Sequence, residues 1–321
     1  MSLNTTRAPR RSARIAENVS KSVPESLPTE ISPEKPRKRP RTKKKTLPPA
    51  SDEEEIDADL TSKPSKPLYK LSSMNFPNTD ASSFGLAQEK LADEPLKVLL
   101  ACVFLTRTKG SVSMPVCREM FKRYPTVEAL VKAEILDLTE MIQPLGLHNT
   151  RARTIIKLAT AWQTQPPAQG KRYRKLHYPS RGDGADIPPS EQPIQDESLD
   201  HRVAWEIAHI PGVGAYALDS WRIFCRDKLR GVEDGLLDIG FPDNIAKERR
   251  QEWTRVIPLD KELIAYIRWR WLRLGYLWNP VDGSKLKVDP GVITKMQNRE
   301  IESYKGFDNP WIVYALQEKK S

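Results

Sequence analysis

Between residues 96 and 104 apolar side chains return every three or four positions, at Leu96, Leu99, Leu100, Val103 and Phe104. The same rhythm recurs at Ala152, Ile155, Ile156 and Ala159, and again at Leu263, Ile264, Ile267, Trp271 and Leu274. A period near 3.6 puts such residues on one face, so the spacing predicts three helices that bury a stripe. Strict alternation, the mark of a half-buried strand, is scarce, and the predicted fold class is all-α. Pro115 fits the first turn of another helix, Thr126 can cap a further one, and Pro144-Leu145-Gly146 separates two more. Two stretches interrupt the pattern: about 164–200, rich in Pro, Gly and charge, and about 227–252, of mixed composition. Both read as insertions between helices of one core. Nothing repeats at a fixed period, so a solenoid is not expected.

Composition changes the picture mainly at the start of the chain. No aromatic residue precedes Tyr69, and prolines and charges dominate, so residues 1–75 cannot bury enough apolar area to offset their ordering entropy. We expect a disordered basic arm there, a folded domain over 76–279 and a C-terminal extension over 280–321. The first 50 residues hold 13 Lys/Arg and 4 Asp/Glu, nearly the whole net charge of +10, and the remaining 271 residues are close to neutral. Nucleic-acid binding by the folded part must therefore come from charge gathered on one face. Within the arm, the run Lys35–Lys45 (KPRKRPRTKKK) reads as a nuclear import signal, a nonspecific DNA arm or a solvated tail; nuclear localisation is the expectation. The acidic patch from Asp52 to Asp59, after Ser51, resembles a phosphorylatable segment. The basic start is not followed by an apolar stretch, so no secretory leader is expected, and no apolar run approaches the roughly 20 residues of a membrane span.

Several kinds of chemistry are disfavoured. Cys102, Cys117 and Cys225 lie far apart in apolar helical patterns and read as core thiols, without the spacing of a zinc or iron-sulfur site. His148, His177, His201 and His209 show no ligand spacing, which disfavours a zinc deaminase or metallohydrolase, and no cofactor is expected. Ser220 lacks a nucleophile-elbow context and the Gly-Val-Gly run does not follow a strand, so serine-hydrolase and dinucleotide-binding readings fail.

The stretch from Ile210 to Asp260 is the most informative. Pro211-Gly212-Val213-Gly214 sits between two helical patterns, and glycines at 212 and 214 tolerate φ > 0, so backbone N–H groups can line up at the next helix start, where an anion is favoured. Such a hairpin holds a DNA phosphate without reading sequence. Asp260 stands at the mouth of a third helix. On its neighbours alone it reads as an N-cap; a carboxylate brought to the same strand would also serve scission of a nucleoside C1′–N bond, where positive charge develops on the sugar.

Four segments, QEKLADEPLKVLLACVFLTRTKG (88–110), IQPLGLHNTRARTI (142–155), IPGVGAYALDSWRIFC (210–225) and EWTRVIPLDKEL (252–263), occur in the order found in helix-hairpin-helix DNA glycosylases. Over about 85–279 the chain resembles the mismatch-specific thymine and uracil glycosylase domains that accompany a methyl-CpG-binding domain, although no such binding domain is recognisable here. The resemblance implies a helix-hairpin-helix glycosylase fold with two helical lobes and a DNA-binding cleft between them. It implies Asp260 as the catalytic carboxylate, which is compatible with capping, and Gln88 and Tyr216 in the base pocket. Arg107 and Leu147 would enter the duplex, Leu145 would contact DNA beside them, and Gly212, Val213 and Gly214 would hold the backbone. Tyr216 stands where bifunctional relatives carry a lysine and cannot form a Schiff base, so base hydrolysis without strand cleavage is implied. The implied partner is double-stranded DNA with a mismatched or damaged base, bound by a monomer. Arg151, Arg153, Lys157 and the run Lys171–Lys175 are candidate phosphate contacts. A noncatalytic DNA-binding module and a glycosylase for alkylated bases remain alternatives; the missing cysteine cluster argues against the adenine-excising branch.

Overall fold

A computed structural model describes residues 71–195, 200–232 and 250–318. The bulk of the basic arm, with its Lys35–Lys45 run, lies outside the described residues. Eleven α-helices are described. The first, α1 (Ala87–Lys90), leads into α2 (Pro95–Leu105), whose Pro95 opens the helix where its missing N–H costs nothing. Then come α3 (Gly110–Arg123), α4 (Val127–Val131), α5 (Ile135–Ile142) and the long α6 (His148–Thr164). Thr126 caps α4 as expected, its Oγ1 accepting from Ala129 N–H at 3.2 Å. Pro115 lies in the second turn of α3, not the first, because the helix already starts at the extended Lys109, whose carbonyl accepts from both Val112 and Ser113 N–H at 3.0 Å. A single 3-10 turn, Gln143–Leu145, and Gly146 at φ 68° break the chain before α6.

The all-α expectation needs amending. Helices dominate, but β1 (Lys171–Arg174) pairs antiparallel with β2 (Ile194–Gln195) inside the first insertion and with β3 (Ala204–Trp205) just after it. Strands this short leave no alternating pattern to read. After β3 follow α7 (Ala215–Phe224), α8 (Arg226–Arg230), a 3-10 turn at Glu252–Arg255, and α9 (Lys261–Arg273). The chain ends in a β4–β5 hairpin (Tyr276–Trp278, Lys285–Lys287), α10 (Pro290–Gln297), a β6–β7 hairpin (Ser303–Tyr304, Phe307–Asp308) and α11 (Pro310–Glu318).

Helix α2 is apolar apart from Lys97 and packs against α3, α6 and α7, which makes it the centre of the core. Helices α7 and α9 are buried over nearly their whole length, including Trp221, Trp269 and Trp271. Cys102, Cys117 and Cys225 are buried free thiols. No helix among the described residues is long and apolar enough to cross a membrane.

Both ends of the described chain belong to this core. Residues 71–75, assigned to the arm from sequence, dock on α9: Ser72 is buried and donates to Glu262, and Ser73 gives the same carboxylate its N–H at 3.0 Å and its Oγ–H at 2.6 Å. Phe76 stacks on Tyr314 of α11 at 5.1 Å and meets Trp311 edge-on at 5.3 Å, and Trp269 donates to the Asn78 carbonyl. These contacts join residues about 190 positions or more apart, so composition alone could not reveal them. Residues 1–70 have too little apolar content to build a core, so their removal should leave the thermal midpoint unchanged. Removing residues 1–86 strips Phe76, Phe84 and Leu86 from the core, each worth about 1.5–3 kcal/mol of burial, and the midpoint should fall sharply in a calorimetric scan.

Candidate active site

Asp260 caps α9, its Oδ1 accepting from the N–H of Glu262 at 3.0 Å and of Leu263 at 3.1 Å. Among the described residues Oδ2 has no hydrogen bond, so one oxygen holds the helix while the other is uncommitted. The two cap bonds lower the carboxyl pKa, yet burial outweighs them and the net shift is upward from the usual aspartate value. Beside Asp260, Leu259 is 90 % exposed and Ile257 is 45 % exposed. The sequence reading passed over this exposed apolar pair, and its only signal was an apolar run, Val256-Ile257-Pro258-Leu259, with no helical period.

Gln88, on the short α1, is 2 % exposed, and its Nε2 donates to the Tyr216 hydroxyl at 2.6 Å and lies 3.5 Å from Ser220 Oγ. Tyr216, in the first turn of α7, has its phenol pKa pushed far up, chiefly by burial, with the negative charge at Asp260 contributing. Burial likewise raises the Cys102 thiol to about 12, with Asp260 adding to the shift. Gln88, Tyr216, Ser220, Cys102 and Asp260 thus form one neighbourhood, drawn from α1, α2, α7 and the start of α9. A cleft of about 230 Å³ opens beside it, lined by Cys102, Thr106, Leu158 and residues 212–217. Ser220 and Cys102 were not singled out as site residues; Ser220 lies one helical turn from Tyr216, which is the signal that pointed to it.

The hairpin departs from the sequence reading in two ways. The segment before it is a chain of turns, with Ala208 N–H on the Trp205 carbonyl and Ile210 N–H on Ile207, rather than a regular helix. Gly212 is left-handed (φ 84°), and a Cβ there would come within 2.4 Å of Thr154 Cγ2; Gly214 is at φ −104° and needs no left-handed freedom. A Cβ on Gly214 would meet nothing within 4 Å, so the backbone at the α7 N-terminus is open to an approaching group. Val213 is a core residue, and its carbonyl accepts from Lys175 of the first insertion.

Arg107 follows α2 and Leu147 precedes α6; both are exposed and both hold left-handed backbones, at φ 59° and 51°. Leu145 is half-buried and packs on the core. Arg153 and Lys157 face outward, whereas Arg151 is buried on the face of α6 that carries Ile155 and Leu158. Its positions i, i+4 and i+7 were the overlooked signal. The Lys171–Lys175 run is largely structural: Arg172 donates to the Asp200 and Arg202 carbonyls, and Arg174 to that of Gly184. No group of three His, Cys, Asp or Glu among the described residues could hold a metal ion.

A helical core with a glycine hairpin feeding a helix N-terminus next to a helix-capping aspartate defines a class. The chain belongs to the HhH-GPD superfamily of base excision DNA repair proteins, which it matches over residues 100–272. It is 35% identical over 66 residues to the thymine-DNA glycosylase of Aeropyrum pernix and 34% identical over 68 residues to the thymine/uracil-DNA glycosylase of Pyrobaculum aerophilum. Each match covers 21% of this chain and 30% of the relative. A longer one, 24% identical over 195 residues, is to a methyl-CpG-binding domain protein 4-like protein of Arabidopsis thaliana, covering 61% of this chain and 30% of that protein. The chain thus spans under a third of the length of these curated relatives.

Proposed function

We propose that the protein is a monofunctional DNA N-glycosylase that flips thymine or uracil out of G·T and G·U mismatches and hydrolyses the base from its sugar, leaving an abasic site. The observation that carries this reading is the half-buried Asp260 carboxylate, with one oxygen uncommitted, beside the Gln88–Tyr216 pair. Beside the cleft that Tyr216 lines, the amide of Gln88 and the phenol of Tyr216 offer fixed hydrogen-bonding groups to the edge of a pyrimidine, since each already orients the other. Asp260 stabilises the oxocarbenium-like sugar as the C1′–N bond opens, then orients the attacking water and takes its proton. The α7 N-terminus, with Gly212 and Gly214, holds a phosphate of the same strand. Arg107 and Leu147, carried on neighbouring turns, enter the duplex and fill the space left by the flipped base. The protein acts as a monomer, and the Lys35–Lys45 run directs it to the nucleus.

The reading is tested with duplexes that each carry one G·T, G·U or alkylated base. Pyrimidine release from the first two is expected, with the strand intact until alkali treatment and no covalent complex trapped by borohydride, because Tyr216 offers no amine. A trapped adduct that survives controls would overturn the monofunctional assignment; failure to release either pyrimidine would overturn the activity and leave a noncatalytic DNA-binding module.

A further inference from the structure

We propose that Arg151 is a positioning residue that locks the Arg107 turn to the Leu147 turn, so that the two side chains enter DNA as one rigid wedge; this rests on the wedge roles proposed above. Arg151 is 4 % exposed, which removes it from the phosphate contacts the sequence suggested. Its guanidinium donates four hydrogen bonds to two separate turns. Nη1 reaches the carbonyls of Leu145 and Gly146, both at 3.0 Å, and Nη2 reaches the Thr106 carbonyl at 2.7 Å and Thr108 Oγ1 at 2.6 Å. The acceptors on one side flank Arg107, and those on the other immediately precede Leu147.

The two residues so bracketed share an unusual backbone. Arg107 and Leu147 both sit in the left-handed region, disfavoured for residues with a Cβ, and such conformations persist only where the surroundings over-determine them. One buried cation bonded to the carbonyls beside both supplies that constraint. Among the described residues none of its acceptors is a carboxylate, so its charge is met by oriented backbone dipoles rather than an ion pair. A lysine cannot replace it: the planar fork spans two turns at once, whereas a single ammonium reaches one. Thr106 and Thr108 lie 45 and 43 residues from Arg151 in sequence, so no local bonding couples the two turns.

The test compares single-turnover release of uracil opposite guanine with release of uracil opposite an abasic gap, where little unstacking work remains. Arg151→Lys should cut the first rate by about a hundredfold, the cost of an ångström-scale misplacement, and leave the second nearly unchanged. Fluorescence of 2-aminopurine beside the target should show the same loss of flipping without relying on chemistry. Adding Arg151→Lys to Arg107→Ala/Leu147→Ala should change the ratio no further, because residues acting through one wedge are not additive. Thr108→Val, which removes one clamp bond and keeps the bulk, should give the same pattern in weaker form even if Arg151→Lys folds poorly. Equal losses on both substrates, or full additivity with the wedge variants, would overturn the clamp. If the wedge variants alter the ratio and the Arg151 and Thr108 variants do not, the clamp alone falls; if the wedge variants leave it unchanged, the wedge reading falls with it.

Discussion

Asp260→Asn is expected to lower single-turnover base release by about a hundred- to a thousandfold or more, the usual loss when a charge partner of the transition state is removed. Binding to the mismatched duplex should persist. The substitution separates two roles of one side chain: an asparagine oxygen can still accept from Glu262 and Leu263 N–H, and Asn caps helices as well as Asp, so the fold should be retained. Wild-type release rates from the variant would reduce Asp260 to a cap. The pH profile offers an independent check. Burial raises the Asp260 pKa above the usual 3.8, and only the carboxylate stabilises the sugar cation, so the rate should fall as pH drops through a midpoint above the ordinary aspartate range. The sign for stability is opposite: a raised folded-state pKa favours the protonated form, so this group's contribution is fully present below pH 3.8 and lost as pH rises through the folded value.

Glu252→Ala should have the largest effect on stability. The Glu252 carboxylate is buried and accepts from Arg222 Nε at 2.6 Å, Arg226 Nη1 at 2.7 Å and Arg255 Nη2 at 2.7 Å. Arg226 also bonds Glu206, and both Arg222 and Arg226 lie over the Trp205 ring, at 4.5 and 4.9 Å. Removing the shared anion leaves buried guanidinium groups uncompensated, which typically costs about 3–5 kcal/mol, a large share of a folded protein's roughly 5–15 kcal/mol. Urea unfolding measures it directly; a loss under about 1 kcal/mol would mean that water or rearrangement rescues the arginines. The cluster ties α7 and β3 to the turn that leads into Asp260, so the variant should also slow base release. Burial alone would push the Glu252 carboxyl up, but the surrounding arginines together outweigh it and hold it at about 2, below its usual 4.5. Its stabilising contribution is therefore present above pH 4.5 and is lost as pH falls from there toward 2.

Much of the helical core was legible because its signal is local. The stripes at 96–104, 152–159 and 263–274 coincide with α2, α6 and α9, and Thr126, Gly146 and Asp260 mark boundaries through chemistry contained within three residues. The short strands escaped because two to four residues show no period. Arg151 was misplaced because a charged residue is normally read as exposed, although its spacing with Ile155 and Leu158 puts it on the buried face. The docking of residues 71–86 and of 290–315 was invisible because Phe76, Trp311 and Tyr314 find one another only across most of the chain.

The candidate site divides along the same line. The order of the four motifs, the glycine hairpin and the tyrosine in place of a lysine are facts of the sequence alone, and they sufficed to indicate the superfamily. Helix periods, caps and turn residues act over a few positions, so a linear reading captures them. Only the tertiary structure decided that Gln88 meets Tyr216 across 128 residues, that burial outweighs the cap bonds in setting the Asp260 pKa, and that one guanidinium ties together the turns carrying Arg107 and Leu147. Desolvation and long-range hydrogen bonding depend on which distant surfaces exclude water together, and that is a property of the packed chain rather than of any segment of it.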